Sequence, residues 1–146
     1  MKMENGKTNP PGTVSAIKDF KDLETWKFAR RSRFEVYKVC KTLPKDETYA
    51  LASQMKRAVV SVTANIAEGY GRYSFQENIQ FCRQSRASVY ELRDHCTTAL
   101  DAGYLKKELY EELDGLAMSV IKLLNGYIRA TQNRKSDSRS KATAIR

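Results

Sequence analysis

The sequence predicts an all-α protein, an antiparallel up-down-up-down four-helix bundle with disordered basic tails. Three observations carry this. Apolar residues recur every three or four positions through four long stretches, the period of a helix packed on one side. Proline or glycine punctuates the gaps, at Leu43-Pro44, at Gly69 and Gly71, and at Gly103. No stretch shows the two-residue alternation of a strand, and no internal repeat is present. Helices joined by such short turns favour up-down-up-down order.

The first helix is expected from about Leu23 to Thr42, with Asp22 as its N-cap. Leu43-Pro44 should end it, because the residue before proline avoids helical geometry. Trp26, Ala29, Val36, Tyr37 and Cys40 share one face, while Phe28, Phe34 and Val39 lie off it. The second helix is expected from about Glu47 to Glu68, capped by Asp46, with Met55, Ala58, Val59, Val62 and Ile66 as its apolar face. Gly69 and Gly71 are expected to end it by adopting the left-handed conformation that closes a helix. Ser74 and Glu77 form an S-x-x-E capping box that opens the third helix, Phe75 to about Ala102. Its stripe reads Phe75, Ile79, Cys82, Ser85, Val89, Leu92, Cys96 and Ala99, and Gly103 stops it.

The fourth helix is expected from about Lys106 to Gln132. Leu109, Leu113, Leu116, Val120, Leu123, Tyr127 and Ala130 step alternately by four and three, which is a heptad seam. A second stripe, Tyr110, Ala117, Ile121, Leu124 and Ile128, lies beside it. Together they exceed the ~100° apolar arc that one bundle core needs. Such a helix is either central among its own neighbours or carries an added subunit contact. Trp26, Phe28 and Phe34, on a helix with two apolar faces, point to the same choice.

At 146 residues the chain is long enough for one domain with a substantial core. Residues 1–21 read as a flexible N-terminal segment, 22–133 as the bundle and 134–146 as a disordered basic tail. The formal net charge of +9 divides as +2 on residues 1–21, +4 on residues 134–146 and +3 on the bundle. A sequence pI of about 9.5 suits attraction to a polyanion, and equally a solubilising tail. Cys40, Cys82 and Cys96 lie at apolar helical positions without C-x-x-C spacing, which reads as buried reduced thiols in a cytoplasmic protein. Met1 to Phe20 has no apolar signal core, and the apolar run around Ala58 to Ala67 is too short to span a membrane.

Catalytic and metal chemistry find little footing. His95 is the one histidine, and its neighbour Cys96 points about 100° away on a helix. No metal or cofactor motif is present. A carboxylate pair from Glu68 and Glu91 would require the two to meet in a cleft. The structural reading has Asn65 bonding across helices, Glu68 pairing with Arg72, and Ser88 allowing helices to approach. Asn65, Glu68, Gly69, Gly71, Ser88 and Glu91 would then set register and the turn between the second and third helices.

The cations offer a binding surface. Lys27, Arg30 and Arg31 make the first helix basic, and Arg72 sits at the turn between the second and third helices. Arg83, Arg86, Tyr90 and Arg93 step 3, 4, 3 and so share one face. An Arg/Tyr stripe suits phosphate contacts with base stacking. It also suits a solvated face, or an interface pairing with Glu108, Glu111, Glu112 and Asp114 of a neighbouring subunit.

Several motifs carry a family resemblance: F-x-D-L at Phe20 to Leu23 followed by Trp26, E-x-Y-x-L-x-x-Q at Glu47 to Gln54, and N-I-A-E-G-Y-G-R at Asn65 to Arg72. S-x-x-E-L at Ser88 to Leu92 and G-Y-L at Gly103 to Leu105 complete the set. The chain resembles, over Phe20 to about Gln132, the four-helix bundle family first noted as reading frames inside intervening sequences of bacterial large-subunit ribosomal RNA genes. The resemblance implies a non-catalytic protein assembled into ring-like pentamers. It is distantly similar to the accessory variability proteins of retroelements, which serve reverse transcriptases and bind nucleic acid. Further copies of the chain, RNA or other nucleic acid, and a reverse transcriptase are thus the implied partners, with no cofactor. The expected function is a non-enzymatic oligomer associating electrostatically with RNA. The alternative is a protein-interaction scaffold or accessory subunit that does not touch nucleic acid.

Overall fold

The computed structural model describes residues 16–145. Four helices, α1 (Glu24–Cys40), α2 (Leu51–Tyr70), α3 (Phe75–Asp101) and α4 (Lys107–Ala144), are joined by short connections, with single 3-10 turns at Phe20–Asp22 and Lys45–Glu47. No strand occurs among the described residues. Each helix packs on the next, and α4 returns to α1, so α1 and α3 lie on one diagonal and α2 and α4 on the other. Cross-helix bonds fix the antiparallel order: Arg33 to Thr63, Ser61 to Ser88, and Arg93 to Asp114. The core has two parts. Val36, Met55, Val59, Leu92 and Leu113 fill one end, and Val62, Ile66, Val89, Ile121 and Leu124 fill the other.

The α2–α3 seam is the tightest part of the bundle. Gly69 is buried within α2, and a Cβ there would meet Phe81 Cβ at 2.8 Å and the Asn78 carbonyl at 3.1 Å. Ser85 is fully buried and donates its hydroxyl to the Val62 carbonyl at 2.8 Å. Ser61 and Ser88 share a hydroxyl–hydroxyl bond of 2.8 Å. Small residues let the backbones close in, and each buried hydroxyl finds a partner.

The helix faces match the periodicity on α2 and α3, with corrections elsewhere. Phe75 lies at the outer end of its stripe and is 37% exposed. On α1 the buried face is Thr25, Trp26, Ala29, Ser32, Val36, Val39 and Cys40, whereas Tyr37 is exposed. Small polar residues occupy core positions there, so a reading weighted to apolar residues rotates the face. On α4, Leu113, Ala117, Val120, Ile121, Leu124, Ile128 and Thr131 are buried. Leu109, Leu116, Leu123 and Tyr127 are half-buried, the first two beside α1 and Tyr127 bonded through its hydroxyl to Asn78 of α3, and Ala130 is exposed. The expected heptad seam is therefore the flank of the core face, because α4 packs more fully on α3 than on α1.

Several caps also differ. Asp22 does not cap α1. Its carboxylate accepts the Lys18 and Asp19 N–H groups at 2.9 and 3.0 Å, closing the preceding turn, and those bonds hold its pKa below the usual range. Phe20 of that turn packs edge-on against Trp26 with ring centroids 5.3 Å apart. Residues 18–21, expected in the flexible N-terminal segment, are thus held in this turn, and residues 1–15 of that segment lie outside the described ones. Asp46 falls in the turn before α2, which starts four residues later than expected from Glu47. Glu47 accepts the Leu51 N–H at 3.1 Å, supplying the cap that Ala50 cannot. Ser74 caps α3 through the Glu77 N–H at 3.3 Å, while the Glu77 carboxylate lies 3.9 Å from Arg72.

Neither Gly69 nor Gly71 adopts a left-handed backbone. Gly71 has φ −73°, and α2 runs through Gly69 to Tyr70. Gly69 is there for close approach. Gly103 does close α3, with φ +78° and a Schellman pair: Tyr104 N–H to Ala99 and Gly103 N–H to Leu100.

The residues expected as a disordered basic tail continue α4 to Ala144. Extending a formed helix adds one hydrogen bond per residue without a new nucleus. Lys135 also reaches Gln76 of α3 at 3.0 Å.

Glycine substitutions separate close approach from propensity. Gly69→Ala is expected to cost about 1–3 kcal/mol, because the contact atoms are backbone and Cβ. Gly126→Ala meets nothing within 4 Å and should stabilise α4 by up to about 1 kcal/mol. Denaturant melts of both variants check the opposite signs.

Candidate nucleic-acid interface

The stripe of Arg83, Arg86, Tyr90 and Arg93 lies on the α3 edge that faces α4. Arg93 closes its upper end: Nε donates to Asp114 Oδ1 at 2.7 Å and Nη2 to Oδ2 at 3.4 Å. This forked bond raises the Arg93 pKa and commits the guanidinium to its own chain. Arg93, expected as a phosphate contact, is thus paired within its own bundle. Asp114, an expected partner in a neighbouring subunit, is satisfied within its own. The Arg93 guanidinium also lies 5.5 Å above the Tyr90 ring, which remains 52% exposed.

Below that pair the cations are not neutralised. Arg86 Nη1 donates to Asn125 Oδ1 at 2.7 Å, which positions the guanidinium without cancelling its charge. Arg83 sits beside it, and α4 adds Arg129, Lys135 and Arg139 along the same seam. None of these five is within ion-pair distance of a carboxylate among the described residues. The three α4 cations were missed from sequence for two reasons. Helix register across α3 and α4 is a tertiary property, and Lys135 and Arg139 lie beyond the helix end expected at Gln132. The spacing Arg129, Gln132, Lys135, Arg139 carries the signal once the helix is extended.

The other candidates lie elsewhere. Arg72 bonds Glu68 at 3.0 Å and covers the Phe81 ring at 4.9 Å, so it braces the α2–α3 turn. On α1, Lys27 pairs with Glu24 at 3.3 Å. Arg30 lies over Trp26 at 5.6 Å and Arg31 over Phe28 at 5.4 Å. Because α1 is diagonal to α3, these cations do not join the seam. They line an open α1–α4 groove of about 870 Å³ with Phe28, Phe34, Leu109, Leu116 and Glu112.

The N-I-A-E-G-Y-G-R residues serve architecture. Asn65 Nδ2 donates to the Ser61 carbonyl at 2.8 Å and to Ser61 Oγ at 2.9 Å, both within α2. It reaches α3 only through the Ser61–Ser88 bond, a correction to the expected direct bond. Glu91 lies 3.2 Å from His95 and lines a surface pocket with Gln54 and Arg57. Gln54 and Glu68 are about 21 Å apart along α2, so Glu68 and Glu91 do not form a carboxylate pair. Burial pushes the Cys82 and Cys96 thiols up to about 12, which keeps both protonated. Cys40 donates its thiol to the Ala52 carbonyl at 3.7 Å. Among the described residues no group of three His, Cys, Asp or Glu could hold a metal ion, and no helix is long and apolar enough to cross a membrane.

Two arginines of one stripe should behave differently. Arg93→Ala leaves the half-buried Asp114 unpaired and is expected to cost about 1–2 kcal/mol of stability. Arg83→Ala breaks no bond and should stay within about 0.5 kcal/mol of the parent. Thermal melts of the two variants and of Asp114→Ala check this.

Comparison with curated proteins finds no match. Among solved structures the fold is similar to that of a protein of unknown function from the S23 ribosomal protein family of Bacteroides thetaiotaomicron. The TM-score is 0.67 at 19% identity, over 71% of this chain and 97% of that one. The family model described as 23S rRNA-intervening sequence protein matches residues 21–126, most of the bundle, and the chain belongs to that family.

Proposed function

We propose that this protein is a non-enzymatic, self-associating bundle that binds RNA electrostatically along the α3–α4 seam. The observation that carries the reading is the row of Arg83, Arg86, Arg129, Lys135 and Arg139 with no carboxylate beside it among the described residues. A folded protein that neutralises Arg72 and Arg93 internally, yet leaves these five open, has a surface suited to phosphates. The family is described as 23S rRNA-intervening sequence protein, and a contact with RNA is compatible with that description. The carboxylates of Glu68 and Glu91 are engaged, with Arg72 and His95, and the cysteines are buried in the core.

Self-association has its own support. Phe34 is 65% exposed beside half-buried Phe28, Leu109 and Leu116 in the α1–α4 groove. The α1 side of the groove is cationic, and the start of α4 carries Glu108, Glu111 and Glu112. A second copy could cover the apolar strip and match the charges. A ring, a pentamer by the family resemblance, would multiply one modest seam into a strong polyanion surface. A scaffold binding only protein is the competing reading, and the same groove is its support.

Both parts can be measured. Light scattering should give several times the 16.7 kDa chain mass, and a monomer at all concentrations would remove the ring. In a salt titration of RNA binding, five phosphate contacts predict a log–log slope of about −3.5 per seam. Arg83→Ala with Arg129→Ala should lower that slope by about 1.4 with assembly intact. Unchanged binding by the double variant would favour the scaffold reading.

A further inference from the structure

We infer that the α3–α4 seam takes single-stranded RNA in preference to a duplex, with bases stacked on Phe75 and Tyr90 at its two ends. The inference rests on the proposed function, that the seam binds nucleic acid, and it names the form bound. Successive residues of a helix turn by 100°, so Phe75, Arg83, Arg86 and Tyr90 fall within one narrow arc of α3. Tyr90 is 52% exposed at the upper end of the cationic row, and Phe75, the outermost residue of the core stripe, keeps 37% of its surface exposed near the lower end. Tyr73, in the turn just before α3, is fully exposed near the Phe75 end. From Phe75 to Tyr90 is about 22 Å, room for roughly four extended nucleotides, the lower end of single-strand site sizes.

The geometry disfavours a duplex. A duplex keeps its base faces stacked inside, so exposed protein rings would meet only sugar and phosphate. A single strand presents both backbone and base faces, and a row of cations flanked by aromatic rings matches that. The cations also form one row along a seam between two helices, which suits one backbone. Side-chain amides complete the case. Gln80 and Gln132 line the seam around Arg83. A carboxamide both donates and accepts, as a ribose 2′-hydroxyl does, which favours RNA over DNA.

The test uses the assembled full-length protein and three labelled probes of one sequence: a 12-nucleotide RNA, the same DNA, and the RNA duplex. Fluorescence anisotropy at fixed salt should show the single-stranded RNA bound about tenfold tighter than either other probe. Tyr90→Leu and Phe75→Leu should each weaken single-strand binding by about tenfold, with the duplex affinity and the salt slope unchanged. Tyr90→Phe keeps the ring and should retain affinity. Melting curves and light scattering identify a variant that fails to fold or assemble, and the ranking of the three probes on the parent protein needs no variant. A duplex or DNA bound as tightly as the RNA, or leucine variants that bind like the parent, would overturn the inference. The electrostatic reading would survive that outcome if binding still required Arg83 and Arg129. Absence of salt-dependent binding to every probe would remove both.

Discussion

The close approach of α2 to α3 is the constraint on which the rest of the bundle depends. At Gly69 there is no space for even a methyl group, since Phe81 Cβ and the Asn78 backbone fill it. Ser85 and the Ser61–Ser88 pair then fix the rotation of α3, because both bonds cross the α2–α3 seam. Turning α3 by a single residue would bury Arg86 and strand Ser85. With one edge held against α2, the opposite edge of α3, bearing Arg83, Arg86 and Tyr90, must face α4. The N-I-A-E-G-Y-G-R motif therefore bears on function indirectly. It contributes no reactive group, and it determines which α3 residues meet α4.

The position of α4 follows from that edge. Arg93 with Asp114 sets its height at one end, and Asn78 with Tyr127 at 2.9 Å sets it at the other. Between them the helix is tied to α3 and packs less fully on α1. The same lean produces both surface features of interest: a cationic seam on the α3 side and an open apolar groove on the α1 side. The two lie on adjacent flanks of one helix, so a protomer could be joined to its neighbours by the groove while the seam remains accessible.

Much of this was legible in the sequence. The stripes of α2 and most of α3 were read correctly because their core positions are almost all apolar. Thr25 and Ser32 on α1 break the rule, since both are small polar residues at buried positions of the core face. The glycine pair was recognised, but the reason differed. Gly69 answers a tertiary clash, which no local rule contains, whereas the left-handed Gly103 does obey the local rule. The cationic stripe was visible as a helical face, and its division was not. Arg93 and Arg86 look alike by spacing, and only the identity of the residue opposite, Asp114 or Asn125, makes one a brace and the other an open charge. Lys135 and Arg139 are hidden because a run rich in Ser, Lys and Arg reads as unstructured until a long packed helix leads into it; Arg129 lies inside the expected helix, and only packing sets it beside Arg83 and Arg86.

Hydrogen exchange on the assembled protein, with and without a single-stranded RNA, tests most directly the claim that the α3–α4 seam is the contact surface. Residues 133–144 extend α4 with almost no buried side chains, so their amides should exchange quickly in the free protein. The account predicts that RNA slows exchange there and at the start of α3 around Gln76 to Arg83, and leaves Lys27 to Arg31 on α1 unchanged. Slowing confined to α1, with residues 133–144 unaffected, would contradict it.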